Sequence, residues 1–547
     1  MRGRALLPPR GVAGPALASA VLFFLSFPPM PAMLVVLVCL VPLAAAAARL
    51  ADAGARARDG MALGWWFGLF AFGSTLYWIA IALSIYTKLA ILGYVAALAV
   101  MAALSAGTIA TLVVARRVTR WPMTVLLPVT WVAWEKITEV LPQLAFPWLP
   151  LGLAVSPITV LAQSADLSGV HGVSLWIALV NGLAADAWLL YRSASPGASR
   201  RAIVRLVDGV GVIALVAAYG TWRLETIHPR DAAAIAIVQP NVPQEDKWQA
   251  ENQQRIVGML AAGTRAALDS GSARLIVWPE VALPGYLREH PEWSDTLSAL
   301  GAAGHTPILF GVIDVQWYPR PGAPPDYDYF NAALLTDSAG GVGGFAPTRK
   351  QYLVPVVERV PFLNPRWFGG MKYFGGYGRG HGAVTYVLPW GRFGVLICYE
   401  SIFPAQSRAL RRNGADIILN ITNDAWFGRS IAPWQHEAHM MLRAIENRVG
   451  VVRSANTGIS SYIDPLGRIH GATELFVPAA RTYRAQTTDI RTLFVRFGDW
   501  IGWICVAAAA FFLLYPRLTR PRKNGRPEEN VGGGVGKSLG TRPSARG

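Results

Sequence analysis

Eight apolar runs punctuate this chain, at about 12–28, 33–48, 61–83, 89–115, 121–134, 169–191, 206–222 and 499–515. A helix needs roughly 20 mostly apolar residues to cross the hydrocarbon core of a bilayer, fewer where its ends snorkel. Seven runs before residue 223 and one after 498 therefore predict a bundle of about eight membrane-spanning helices. The runs at 61–83, 89–115 and 169–191 fit best, and 121–134 is short. Composition agrees: 53% of residues are hydrophobic and 15% charged, against about 25% charged in a typical soluble domain. Ala18-Ser-Ala20 imitates a leader-cleavage site, but Val21-Leu-Phe-Phe-Leu25 carries the apolar stretch past it, so the first run reads as a span. Asn181 and Asp186 lie within the sixth run, where polar residues are functional candidates. Asp186 stands near the end of that run and could snorkel.

The charges between the runs alternate. Arg2, Arg4 and Arg10 precede the first run; Arg49, Arg56 and Arg58 follow the second; Arg116, Arg117 and Arg120 follow the fourth. Arg192, Arg200, Arg201 and Arg205 follow the sixth, and a basic tail occupies 516–547. The intervening segments are poor: 26–32 has no charge, Lys88 stands alone, and 135–168 sets Lys136 against Glu135, Glu139 and Asp166. On these boundaries the basic segments account for the whole net charge of +17. That is the positive-inside pattern, an orientation signal, and it argues against nucleic-acid binding. It predicts both termini in the cytoplasm and residues 223–498 outside, in the periplasm of a two-membrane cell. The expected organisation is a seven-span region (1–222), an extracytoplasmic domain (223–498), one further span (499–515) and a tail (516–547) that reads as disordered.

The outside segment has another texture. Short apolar, β-rich runs recur at Ala233–Val238, Leu275–Trp278, Ile308–Ile313, Ala332–Leu335, Val384–Leu388, Gly394–Ile397, Ile417–Ile421, Val449–Arg453 and Ser460–Ile463. Helical patterns lie between some of them, at Gln249–Leu268 and Trp434–Asn447. Strands alternating with helices predict a layered α/β domain. No short-period repeat suggests a solenoid.

Three strand ends in this segment carry chemistry. Trp278-Pro279-Glu280 follows Leu275-Ile-Val; Arg349-Lys350 opens a loop running to Pro355; Gly394-Val-Leu-Ile ends on Cys398, then Tyr399-Glu400. Of three cysteines, only Cys398 lies outside the apolar runs, so no disulfide framework is available. Each residue alone has a plain explanation: a core cysteine, a helix-start carboxylate, a surface lysine. Together they supply what acyl transfer through sulfur requires. A carboxylate can take the thiol proton, an ammonium can steady an oxyanion, and the thiol can hold the acyl group as a thioester. His436 and His439, spaced i, i+3 around Glu437, lack zinc-protease spacing and read as packing or surface histidines.

In that order and at those separations, Glu280, Lys350 and Cys398 resemble the Glu-Lys-Cys triad of the nitrilase superfamily. The flanking text is more specific. Gln239-Pro-Asn-Val-Pro-Gln244 with Trp248, Trp278-Pro-Glu280, Lys350-Gln-Tyr-Leu-Val-Pro355, Cys398-Tyr-Glu400 and Asn423-Asp-Ala-Trp-Phe-Gly428 resemble the apolipoprotein N-acyltransferase family. Phe146-Pro-Trp-Leu-Pro-Leu-Gly152, Phe497-Gly-Asp-Trp500 and the order of spans fit it too. The resemblance implies a nitrilase-like αββα sandwich for 223–498. It implies Glu280 as base, Cys398 as nucleophile, Lys350 as oxyanion stabiliser, and Glu358, Tyr399, Glu400 and Trp248 as supporting or pocket residues. The chain departs from the family at Val357-Glu358-Arg359, where Gly-Glu-Tyr is usual; that leaves the carboxylate and alters the loop.

The implied reaction is ping-pong. A phospholipid, phosphatidylethanolamine by resemblance, donates its sn-1 acyl chain to Cys398, and the α-amine of a diacylated apolipoprotein takes it, with no metal or organic cofactor. A tethered amidase of the same superfamily and a non-catalytic membrane scaffold are the rival readings. A transporter ranks last, because the spans carry few charges.

Overall fold

The structure is a computed structural model and describes residues 11–85, 90–269, 271–321, 326–362 and 376–518. Arg2, Arg4, Arg10, Lys88 and the basic tail beyond Leu518 lie outside the described residues. Each apolar run contains a helix. The N-terminal part holds α1 (Ala13–Ser26), a 3-10 turn (Met33–Leu37), α2 (Val41–Asp52), α3 (Ala57–Thr75), α4 (Trp78–Ser84), α5 (Ala90–Thr119), α6 (Met123–Val140), α7 (Val170–Tyr191) and α8 (Ala198–Thr226). Among the described residues four segments are long and apolar enough to cross a membrane: Met33–Asp52, Ala90–Thr119, Val170–Tyr191 and Ala198–Thr226. A fifth is formed if α3 and α4, bent by 60° at their junction, count as one.

Several runs differ from the sequence expectation, each for a visible reason. The second is broken between Leu37 and Val41, and Asn181 closes the break: it accepts from the Leu40 N–H at 2.8 Å and donates to the Val36 carbonyl at 2.8 Å. Asp186 does not snorkel. Its carboxylate caps the start of α6, accepting from the Met123 and Thr124 N–H groups at 3.0 and 2.9 Å, the orphan donors of a helix N-terminus. The fifth run extends to Val140 because Lys136 and Glu139 are buried as a pair, 3.0 Å apart. The seventh begins at Ala198, since arginine is a good helix former and carries the helix through Arg200, Arg201 and Arg205. Helix α3 lies close on α5 because Gly64 and Gly68 present no side chain; a Cβ at Gly64 would meet the Ser105 carbonyl at 2.3 Å. Small residues serve this purpose between membrane helices. Helix α8 exposes Ile203, Val207, Val210 and Leu215 along its length, a face suited to lipid.

Short helical turns aside, the chain continues with β1 (Arg230–Gln239), α9 (Ala250–Asp269), β2 (Leu275–Val277), α10 (Pro291–Gly304), β3 (Ile308–Tyr318), β4 (Asp326–Leu335), β5 (Thr348–Arg349), β6 (Thr385–Leu388), β7 (Gly391–Ile397), α11 (Pro404–Arg412), β8 (Ile417–Thr422), α12 (Ala432–Asn447), β9 (Gly450–Ala455), β10 (Ser461–Ile463), β11 (Ile469–His470), β12 (Ala479–Thr487) and α13 (Trp500–Leu518). They form two six-stranded sheets, ordered β12-β1-β2-β3-β4-β5 and β11-β10-β9-β8-β7-β6. Strands β1-β2-β3 and β7-β8-β9 are parallel. The sheets face each other through Ile235, Ile237, Val277 and Leu309 on one side and Val395, Ile397, Leu419 and Ile421 on the other. Helices α9 and α10 cover the outer face of the first sheet through Leu260 and Leu297. Helices α11 and α12 cover the second through Leu410 and Met440. The layers are therefore α, β, β, α, as a nitrilase-like sandwich requires. Strand β12 escaped the sequence reading because it is an edge strand without an apolar run; Tyr483 and Ala485 face inward while Arg484 faces out.

The helical part docks onto this sandwich through the Phe146-Pro-Trp148 loop. The Trp148 indole N–H donates to the Gln435 side-chain oxygen at 2.9 Å, and its ring stacks on His436 at 5.5 Å. On another side Asp166 receives Arg448 at 2.6 Å and Arg223 of α8 at 2.8 Å.

Candidate active site

Side chains leaving the carboxyl ends of parallel strands converge at one end of a layered sheet, where ligands of such folds bind. Here β2 leads into Glu280, β7 into Cys398 and β8 into Asn423, with Lys350 just after β5. Glu280, Lys350 and Cys398 are all buried, and they line one cavity of about 340 Å³. The Lys350 ammonium donates to Glu280 at 3.1 Å and to Glu358 at 2.9 Å. Cys398 turns the chain from strand into a 3-10 helix (Cys398–Ile402) with φ of +49°. A non-glycine residue there costs on the order of 1–2 kcal/mol, and the turn sets the thiol at the strand's end.

The electrostatics divide the labour. Burial drives the Cys398 thiol far above its ordinary value, Glu280 adds to the rise and Lys350 opposes it, so the resting sulfur keeps its proton. Burial also works against an ionised Glu280, but Lys350, the Asn331 amide and Lys247 together hold its carboxyl below the ordinary value. Burial works against a charged Lys350 as well; Glu280 and Glu358 outweigh it and keep the ammonium well above the ordinary lysine value. A protonated thiol thus shares a cavity with an ionised carboxylate and a permanent ammonium.

The supporting residues fall into distinct places. Glu358 joins Lys350, its main chain folded so that the Val356 N–H donates to the Arg359 carbonyl at 2.8 Å. Arg359 turns to the Tyr377 carbonyl at 3.3 Å, which is how the altered loop is closed. Tyr399 lines the cavity and donates its hydroxyl to the Ala145 carbonyl of the helical part at 2.5 Å. Trp248 lines the cavity from a 48% exposed position. Glu400 is fully buried behind the site. It accepts from the Gln351 N–H at 2.6 Å and from the Ile397 N–H at 2.8 Å, tying the lysine loop to the cysteine strand. Burial pushes its carboxyl up to about 7.

Two further contacts were not read from the sequence, and the packing place of His436 was read only in part. Asn331 donates to Glu280 at 2.7 Å and to Glu358 at 2.9 Å; a lone amide in the apolar strand Asn331-Ala-Ala-Leu-Leu335 was the available signal. The Asn423 N–H donates to the second Glu280 oxygen at 3.0 Å. His436 is wholly buried, with Nδ1 3.0 Å from Asp424 and Nε2 2.8 Å from the Ser401 hydroxyl and 3.2 Å from the Cys398 carbonyl. It is a packing histidine under Cys398, and His439, bonded to the Trp148 carbonyl at 3.0 Å, is another; neither is at the surface.

The cavity's other wall is apolar and comes from the helices: Ile79 and Leu83 of α4, Ala97 and Val100 of α5, with Leu144, Phe146 and Trp148 from the docking loop. A soluble hydrolase has no use for such a wall; a substrate with an acyl chain does.

Family comparison agrees with this division. The model described as "Apolipoprotein N-acyltransferase N-terminal domain" matches residues 19–183, and the one described as "Carbon-nitrogen hydrolase" matches 234–476. The chain is 34% identical to an apolipoprotein N-acyltransferase of Geobacter metallireducens, over 83% of this chain and 86% of that one. It is 32% identical to a protein of that name from Brucella melitensis, over 83% and 86%. Another from Chlorobaculum tepidum is 29% identical, over 71% and 76%.

Proposed function

This chain belongs to the apolipoprotein N-acyltransferase family, and from that premise we propose that it N-acylates lipoproteins by passing a fatty acyl group through Cys398. It is an acyltransferase and a membrane protein. The observation that carries the mechanism is the shared cavity: Glu280, Lys350 and Cys398 on one side, apolar residues of α4 and α5 on the other.

In the first half-reaction Cys398 Sγ attacks the ester carbonyl of a phospholipid, phosphatidylethanolamine in our reading. Its proton passes to Glu280, and Lys350 stabilises the oxyanion that forms. Collapse breaks the ester C–O bond, the alcohol oxygen takes the proton from Glu280, and a lysophospholipid leaves. In the second half-reaction the α-amine of the diacylglyceryl-cysteine acceptor attacks the thioester carbon. Glu280 accepts a proton from nitrogen, the C–S bond breaks, and the thiolate is reprotonated. Glu358 and Asn331 hold the triad in register, Glu400 keeps its two loops together, and Tyr399 and Trp248 shape the pocket.

The positive-inside pattern supports eight spans with both termini cytoplasmic and residues 223–498 on the periplasmic side. In that orientation the cavity opens at the outer surface of the inner membrane, where donor and acceptor lipids both lie. The test is a burst experiment. With phospholipid and no acceptor, about one equivalent of lysophospholipid per enzyme should be released, then nothing until a lipopeptide amine is added. Continuous release without acceptor would mean that water resolves the thioester, and the protein would be a hydrolase.

A further inference from the structure

Lys247 is a charged side chain of the cavity to which the mechanism above gives only a distant electrostatic part. It lies on the loop between β1 and α9, is 3% exposed, and lines the same space as Cys398. Its ammonium donates to the Glu280 main-chain carbonyl at 3.2 Å. Among the described residues no carboxylate lies within ion-pair distance of it, whereas Lys350 is held by two. An ammonium has three donors, so two of them have no protein acceptor among the described residues. A buried charge with no counter-ion in contact is costly, and burial draws this ammonium down to about 8, with the more distant Glu280 and Cys398 opposing. The site is built for an anion that arrives from outside.

The substrates say which anion. Donor and acceptor both carry fatty esters of glycerol, and only the donor's ester is to be cleaved. The acceptor's esters must survive in the same cavity. The chemical difference beside the ester is the donor's phosphodiester, a monoanion. Lys350 cannot read it, because carboxylates occupy two of its sides. We infer that Lys247 binds the phosphodiester of the acyl donor, and so lets one cavity distinguish a phospholipid ester from the esters of its diacylated acceptor. The inference rests on the acyl-transfer reading above. Once the lysophospholipid leaves, Lys247 again lacks a counter-anion, which favours the neutral, nucleophilic form of the incoming amine.

The test compares two donors with matched acyl chains, phosphatidylethanolamine and diacylglycerol, in mixed micelles with the full-length protein. Acylation of Cys398 is followed by mass spectrometry for the parent, K247M, K247Q and K247R. The parent should favour the phosphatidyl donor. In K247M and K247Q that preference should fall by about tenfold or more, the scale of a charge-assisted hydrogen bond, and K247R should retain most of it. A lysine that only supports the loop would slow both donors alike, so an unchanged donor ratio in K247M or K247Q overturns the assignment. A parent with no preference between the two donors, whose diacylglycerol reaction is inhibited by inorganic phosphate while that of K247M is not, would mean a site for free phosphate and would overturn it too. If the parent acylates Cys398 from neither lipid, the acyl-transfer reading itself fails, a result distinct from an unchanged ratio.

Discussion

Two lysines among the described residues are each held between two carboxylates, one beside a cavity and the other between helices. Lys350 lies 3.1 Å from Glu280 and 2.9 Å from Glu358. Lys136, on α6, lies 3.0 Å from Glu139 and 3.0 Å from Asp499, with His171 2.7 Å from the same aspartate. Both are buried. The second cluster joins α6, α7 and the start of α13. The first borders a 340 Å³ cavity and a cysteine held at positive φ. A lysine between two acids is therefore no signature of chemistry. An adjacent thiol and a space for substrate give the arrangement a reaction to perform.

The largest expected effect lies at the sulfur. Replacing Cys398 by Ala should leave the fold and remove transfer by a factor of about 10³ or more, read as N-acylation of a synthetic lipopeptide. Lys350→Met should cost about 10²–10³ in turnover by removing oxyanion stabilisation, and it should also lower the melting temperature, because two acids are left buried together. Lys136→Met should do the reverse. Breaking a buried pair costs about 3–5 kcal/mol, so melting in detergent should drop sharply, while the folded fraction should turn over near the parental rate. Adding Glu139→Gln and Asp499→Asn should recover much of that loss. If Lys136→Met abolished turnover without touching stability, the two clusters would not differ as described.

The smallest expected effect concerns pH. Glu400 and Glu446 are both raised to about 7, burial being the main cause. A carboxyl raised in the folded state favours folding below its ordinary value, and that contribution is lost as pH rises through about 7. Stability should fall over this window, and Glu400→Gln should flatten part of the fall in melts taken between pH 5 and 8. An unchanged slope would mean that Glu400 is not the buried acid described here.

Much of this was legible beforehand, and the parts that were not share a cause. Apolar runs announce helices because burial in lipid or core demands continuous apolar sequence. The strands ending at Glu280 and Cys398 were visible for the same reason. What escaped was set by partners distant in sequence. The break before α2 depends on Asn181, and the start of α6 depends on Asp186. The 60° bend between α3 and α4, which carries Ile79 and Leu83 to the cavity wall, has no proline to mark it. Asn331 and Lys247 carry ordinary residue names, and only the coordinates reveal that both are buried against Glu280. Glu400 could be named from a resemblance, but its place as a tie between two loops needed coordinates.

In the proposed mechanism Cys398 carries the acyl group between lipid and protein. Peptide mass spectrometry of the full-length protein after exposure to phospholipid, without acceptor, tests it most directly. A fatty-acyl mass is expected on the peptide containing Cys398, removed by hydroxylamine and by a lipopeptide amine. An acyl adduct on another residue, or none on Cys398 while transfer proceeds, would contradict it.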